Sequence, residues 1–318
     1  MSKNVFVTGA AGFIGFHLAS HLAARGDNVI GYDNFDDYYS VALKHKRAAE
    51  LKKRGVSIIH GDITDQKLLK SSIDSHKTTH IAHLAAQAGV RYSLENPGKY
   101  LQTNIEGFLN ILEVCRHNPQ MKLVYASSSS VYGTNDSLPF SIKDRTDHQT
   151  SLYGVTKKTN ELMAYSYHHL FAIEATGLRF FTVYGPWGRP DMAYFSFASA
   201  IDSGQPIKLF NEGKMERDFT YVDDIVAGTI AALDEKESGY QLYNLGNNRA
   251  EPLMSLVGEL ERALGKKAII NFSPMHTADV VSTHADIEPA RSRLGFIPQT
   301  SLSAGINHFV AWYREIYL

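Results

Sequence analysis

Thr8-Gly9-Ala10-Ala11-Gly12-Phe13-Ile14-Gly15 constrains the fold of this chain more than any other stretch. A β-type run, Val5 to Thr8, leads into it and a helical run, Ile14 to Arg25, leads out. Glycines at such a junction permit a tight turn and let a pyrophosphate approach backbone N–H groups at the positive helix end. Strand and helix then alternate: Asn28 to Tyr32, Val56 to His60, Ile81 to Leu84, Leu123 to Ser127 and Glu174 to Arg179 read as strands. Gln66 to Ser75, Asn104 to His117 and Leu152 to Phe171 read as helices. This alternation predicts an α/β fold, a doubly wound parallel sheet covered on both faces.

Asp33 closes the second strand, 18 residues past Gly15. A carboxylate there accepts hydrogen bonds from both hydroxyls of an adenosine ribose and repels a 2′-phosphate, so the expected cofactor is NAD rather than NADP. Asp36 and Asp37, just beyond, read as solvated loop acids. Asp62 after the third strand and Leu84-Ala85-Ala86 after the fourth stand at further C-terminal strand ends, where adenine and pyrophosphate would be lined.

Tyr153-Gly154-Val155-Thr156-Lys157 sets a phenol and an ammonium on one helix face. Bringing a tyrosine from its usual ~10 to about 7 takes roughly 4 kcal/mol of preferential stabilisation of the anion. Lys157 beside the ring is expected to supply it and make Tyr153 a general base. An isolated tyrosine and lysine at this spacing would ordinarily be a surface pair. Here they follow a serine run, Ser127 to Ser130, and a dinucleotide loop, in the order redox enzymes require.

After Phe181, the segment Tyr184-Gly185-Pro186-Trp187-Gly188-Arg189-Pro190-Asp191 breaks the βα rhythm. Residues 1–181, with a returning segment near 219–246, are expected to form the cofactor domain and residues 182–318 the substrate domain. The ligand is expected in the cleft between them. A formal net charge of −1 gives no field for nucleic acid or an acidic membrane, so an anionic ligand must meet local positive groups. The single cysteine, Cys115, forms no internal disulfide and fits a reducing cytosol. The N-terminus shows no signal-peptide pattern and no run reaches 18 apolar residues, so a cytoplasmic protein without a membrane anchor is expected. No cluster has metal-ligand spacing.

The glycine loop, the serine at the end of the fifth strand and the YxxxK pair resemble the extended short-chain dehydrogenase/reductase family. Four stretches, His83 to Ser93, Ser127 to Gly133, Leu178 to Met192 and Arg217-Asp218-Phe219-Thr220-Tyr221, are more closely similar to the UDP-glucuronate 4-epimerases. The resemblance covers essentially the whole chain. It implies a Rossmann-type NAD domain, a smaller C-terminal α/β domain for a UDP-sugar, and a homodimer joined through the helices at Asn104 to His117 and Leu152 to Phe171.

By the same resemblance, Tyr153 takes the C4 hydroxyl proton, Ser128 shares it, and Lys157 holds the nicotinamide ribose. To NAD it assigns Gly9, Gly12, Phe13, Ile14, Asp33, Asn34, Asp62, Ile63, Leu84, Ala85, Ala86 and Asn104, beside Tyr153 and Lys157. To the sugar nucleotide it assigns Arg91, Ser129, Ser130, Thr182, Arg189, Lys208, Phe210, Arg217 and Asp279. Arg217 is expected at the diphosphate, Arg189 at the sugar carboxylate, and Lys208 with Phe210 at the base. Decarboxylases and dehydratases of similar fold carry acids where this chain has Ser129 and Ser130. UDP-galactose epimerases have Asn in place of Thr182 and Arg in place of His276. An epimerase of UDP-glucuronate is therefore expected, with a neutral-hexose epimerase, a decarboxylase and a silent NAD sensor as alternatives. The intact Tyr153 and Lys157 speak against the sensor.

Overall fold

Hydrophobic residues occupy consecutive positions of the first strand, β1 (Asn4–Thr8), and the sheet around it buries both faces. A computed structural model describes residues 2–237, 239–275 and 280–317. Along the chain follow α1 (Phe13–Ala24), β2 (Asn28–Asp33), α2 (Val41–Lys53), β3 (Ser57–His60), α3 (Gln66–Ser75) and β4 (His80–His83). Next come α4 (Tyr92–Glu95), α5 (Pro97–Tyr100), a π-helical turn at Leu101–Glu106, α6 (Gly107–Arg116), β5 (Lys122–Ser128), α7 (Leu152–Phe171) and β6 (Glu174–Phe180).

The later part holds β7 (Thr182–Tyr184), α8 (Ala193–Asp202), β8 (Pro206–Phe210), β9 (Glu216–Arg217), β10 (Phe219–Tyr221), α9 (Val222–Asp234) and β11 (Tyr240–Leu245). It ends in β12 (Glu251–Pro252), α10 (Leu253–Leu264), β13 (Ile269–Ser273), α11 (Glu288–Leu294) and α12 (Leu302–Trp312). Seven parallel strands form the main sheet in the order β11-β6-β5-β4-β1-β2-β3. This is the expected Rossmann-type doubly wound sheet. Its outermost strand, β11, comes from beyond the loop that breaks the βα rhythm.

Strand alternation divides the core in two. Val5 and Val7 of β1 pack on the side of α1, α2 and α9, whereas Phe6 packs on the side of α3, α6 and α7. The first cluster runs without interruption into α8, α10 and α12, so the C-terminal part shares its core with one face of the sheet. Among the described residues, no helix is long and apolar enough to cross a membrane.

Two of the longer helices of the first half differ from the sequence expectation. The helix expected at Asn104 to His117 is preceded by π-helical turns over Leu101–Glu106 and is α-helical only from Gly107. Helix α2 has no counterpart in the sequence reading, because two of its buried positions are Lys44 and Arg47 rather than apolar residues.

Below the serine run, β5, β6 and α7 meet at a buried ion pair. Arg179 donates through Nε and Nη2 to Glu161, each at 2.8 Å, and Ser127 donates to the same carboxylate at 2.7 Å. Burial alone would raise the Glu161 carboxyl, but the Arg179 bonds and charge and the Ser127 hydroxyl hold it below its usual 4.5. A folded pKa below the unfolded one gives stability that is whole above about 4.5 and lost as the pH falls through the folded value. Glu161→Ala strands the guanidinium in the core and is expected to cost about 3–5 kcal/mol, measured as a shift of the denaturant midpoint near neutral pH.

Candidate active site

A cavity of about 1170 Å³ opens along the C-terminal ends of the strands. It exceeds the roughly 300–1,000 Å³ typical of a single small ligand and suits two molecules side by side. Its first half is the glycine loop. Gly9 adopts φ +70°, and a Cβ there would stand 2.7 Å from the Ala85 nitrogen. A Cβ on Gly15 would overlap the Gly9 carbonyl at 2.1 Å. Only glycine lets the loop press against the end of β4.

Helix α1 starts at Phe13 behind Gly12 without a side-chain cap, so its first amides are left to a ligand or solvent. Asp33 accepts from the Ala11 and Phe35 amides at 2.9 and 2.8 Å, which ties the loop to the end of β2. Gly9, Gly12, Phe13, Ile14, Asp33, Asn34, Ile63, Leu84, Ala85 and Ala86 all line this half.

Opposite lies the first turn of α7. Ser151 caps it by accepting from the Gly154 amide at 3.1 Å, which sets Tyr153 at the positive end of a helix. A Cβ on Gly154 would sit 2.7 Å from the Ser130 carbonyl, so the glycine inside YxxxK is what lets the helix approach the serine run. The Ser128 hydroxyl lies close enough to the Tyr153 phenol to favour its anion. Ser127 points instead at Glu161, and the Ser130 amide donates to Ser128 Oγ at 3.1 Å.

The electrostatics differ from expectation. Burial pushes the Tyr153 phenol above its usual 10, and the Ser128 hydroxyl and the Arg189 charge offset this only in part. Lys157 turns its ammonium to the Ala126 carbonyl at 2.9 Å, and burial lowers it to about 8. The expected acidification of Tyr153 by Lys157 is therefore not found: burial holds the phenol above its usual 10, and the partial offset comes from Ser128 and Arg189 rather than from Lys157. The reason is local: a buried ammonium takes the nearest strand-end carbonyl.

The other half is shaped by the loop between β7 and α8. Trp187 at φ +58° and Gly185 at φ +146° turn the chain so that the Trp187 and Gly188 carbonyls face Arg47. Arg47, 0 % exposed, also donates to the Ala11 carbonyl at 2.9 Å and to Tyr39 Oη at 2.7 Å. One side chain thus joins the glycine loop to the loop that carries Arg189. Arg91 lies 4.3 Å and Lys208 4.9 Å from the centre of the Phe210 ring, bringing both cations to one aromatic side chain. Arg217, Thr182, Ser129 and Ser130 share the cavity wall.

Arg189, expected at the sugar carboxylate, is paired within its own loop. Its Nε and Nη2 donate to both oxygens of Asp191, at 3.0 and 2.5 Å.

Two assigned residues do not line the cavity. The Asp62 carboxylate is occupied by its own turn, accepting from Thr64 N, Thr64 Oγ1 and Asn34 Nδ2. Asn104, 2 % exposed, braces the wall from behind: it accepts from the Gln87 amide and donates to the Gln87 carbonyl and to Thr156 Oγ1. Asp279, with His276, lies outside the described residues. Sequence reasoning passed over Gln87, which lines the cavity. Its Nε2 is buried without a hydrogen-bond partner among the described residues. The signal was a polar residue set within Leu84-Ala85-Ala86-Gln87-Ala88. No group of three or more His, Cys, Asp or Glu among the described residues is arranged to hold a metal ion.

Comparison with known proteins agrees with this geometry. Residues 5–246 match the model of the NAD dependent epimerase/dehydratase family. The chain belongs to that family. It is 51 % identical over 331 residues to UDP-glucuronate 4-epimerase 2 of Arabidopsis thaliana, covering 99 % of this chain and 76 % of the plant protein. The crystal structure of UDP-glucuronic acid 4-epimerase from Bacillus cereus, in complex with UDP-glucuronic acid and NAD, superposes with a TM-score of 0.91. It is 34 % identical and covers 98 % of this chain and 99 % of that one. A UDP-glucose 4-epimerase of Thermotoga maritima with UDP-glucose reaches 0.90 at 27 % identity, covering 99 % of this chain and 100 % of that one.

The cofactor of the family, NAD, fits the residues present. The glycine cradle leaves space only for backbone, the first amides of α1 have no side-chain cap, and Gln87 Nε2 is an unpaired donor in the wall. Gly9→Ala, which drives a methyl into the Ala85 backbone, is expected to strip most of the NAD from purified protein, read from the released nucleotide on chromatography.

Proposed function

We propose that this protein interconverts UDP-glucuronate and UDP-galacturonate by inverting C4 of the sugar. The observation that carries the reading is the meeting, in one cavity, of the Tyr153 phenol, its Ser128 partner and the Arg189 charge beside a dinucleotide loop. NAD, when bound, supplies reversible hydride exchange at C4, so the sugar passes through a 4-keto form without net oxidation.

The chain supplies the proton chemistry. Tyr153 takes the C4 hydroxyl proton, with Ser128 sharing it and the first turn of α7 favouring the phenolate. Arg189 draws the sugar carboxylate to the same end of the cavity, and Arg91, Lys208 and Arg217 supply positive charge for the diphosphate and uridine end. Residues 1–181 with the returning strand hold the cofactor, and residues 182–318 the sugar nucleotide.

A fold shared at a TM-score of 0.90 with a UDP-glucose epimerase leaves substrate choice to side chains. Ser129 and Ser130 offer hydroxyls where a decarboxylase would need an acid, which favours epimerisation.

We also infer a homodimer. Val155, Leu162, Tyr165 and Leu170 of α7, with Leu109 of α6, form an exposed apolar stripe on two packed helices. A lone buried thiol at Cys115, pushed up to about 12 by burial, fits a reducing compartment, and we place the enzyme in the cytoplasm.

Tyr153→Phe is expected to retain NAD but lose about 10²–10⁴-fold in turnover of UDP-glucuronate, followed by proton spectra of the sugar nucleotides. Near-normal turnover would remove the base. Arg189→Ala is expected to weaken UDP-glucuronate at least about tenfold while barely changing UDP-glucose, compared by calorimetry. Leu162→Glu is expected to halve the mass seen by light scattering; an unchanged mass would refute the helix-pair interface.

A further inference from the structure

The Arg189–Asp191 pair poses a problem for an enzyme that binds a uronate. Asp191 presents both oxygens to the Nε and Nη2 edge of the guanidinium, at 3.0 and 2.5 Å, and both residues line the cavity. Its Oδ2 accepts a further bond from Tyr38 Oη at 3.1 Å, and the guanidinium lies 5.7 Å from the centre of the Tyr38 ring. Despite burial, which would raise it, the Asp191 carboxyl is held below its usual range by the Arg189 charge and bonds and by Tyr38. It is an anion at neutral pH.

One edge of a guanidinium takes one carboxylate in a two-bond fork. The edge best suited to the sugar carboxylate is already filled by a carboxylate of the chain itself. Only Pro190 separates the two residues, so the pair is formed within one tight loop, and that loop is fixed by Arg47 through the Trp187 and Gly188 carbonyls.

We propose that Asp191 is a specificity-determining residue, an internal carboxylate that holds the Arg189 fork until the carboxylate of the incoming sugar exchanges with it. This rests on the UDP-glucuronate reading above. The exchange replaces one carboxylate by another, so the partly buried Arg189 is never left unpaired, and Asp191 keeps the Tyr38 hydroxyl as its partner. A neutral hexose offers a single uncharged hydroxymethyl group, which cannot displace a charged fork. Such a sugar meets an arginine that is already satisfied. The cost of the arrangement is affinity for the uronate, which must compete with a neighbour two residues away.

The test compares wild type, Asp191→Asn and Asp191→Ala as NAD-loaded enzymes, with calorimetric Kd values for UDP-glucuronate and UDP-glucose and KM and kcat for UDP-glucuronate. Removing the competitor is expected to tighten UDP-glucuronate about tenfold in both variants, the scale of one charge-assisted bond, and to change UDP-glucose less than about twofold. NAD content and thermal midpoint are recorded for each, and two side chains of different size keep the comparison open if one variant folds poorly. Unchanged or weaker UDP-glucuronate binding overturns the exchange, as does equal tightening of both nucleotides. A wild type that binds UDP-glucuronate but does not epimerise it fails the reading of function alone, since the exchange is read from binding. A wild type that does not bind it fails both.

Discussion

Arg47 is a cation buried to 0 % exposure whose described partners are all neutral: the carbonyls of Ala11, Trp187 and Gly188 and the hydroxyl of Tyr39. An unmatched charge in a protein interior is costly, and hydrogen bonds to a charged donor are each worth about 1.5–3 kcal/mol, so these bonds persist together or fail together. They connect the glycine loop at the end of β1 with the loop between β7 and α8 that carries Arg189. Both halves of the site inherit their spacing from this one guanidinium.

On that frame the reacting groups are placed by backbone as much as by side chains. The first turn of α7 reaches the serine run because residue 154 has no Cβ, and its capped end points a helix dipole at the phenol. The charge that bears on Tyr153 comes across the cavity from Arg189, not along the helix from Lys157. Arg189 therefore serves two purposes in the proposed reaction: it recognises the carboxylate and favours the phenolate. Lys157, lowered by burial and bonded to the end of β5, is held as a donor on the Ala126 carbonyl.

Much of this was legible in the sequence because the features are local. A glycine-rich turn between an apolar strand and a helix needs no distant partner to be recognised, and Gln66–Ser75 and Leu152–Phe171 follow from spacing alone. What was hidden depends on residues far apart. Helix α2 buries Lys44 and Arg47, so its periodicity is masked by side chains whose partners lie elsewhere. Asn104 looks like a cavity residue until the π-helical turn places its amide behind the wall, on Gln87 and Thr156. Asp62 stands at a strand end yet spends its oxygens on its own turn. For Arg189, nothing in Arg-Pro-Asp declares that its partner is the aspartate two residues on.

The place of β11 has a consequence for how the molecule is made. Its strand pairs along β6 from Ala175 to Phe180, yet it emerges from the ribosome only after the loop, α8, α9 and four short strands. Until residue 245 has been synthesised, the nascent sheet ends in an apolar border with unmet amides and carbonyls, which is the state most open to wrong pairing. Completion of the main sheet is thereby delayed until much of the later part of the chain exists. The two halves mature as one event rather than as beads on a string.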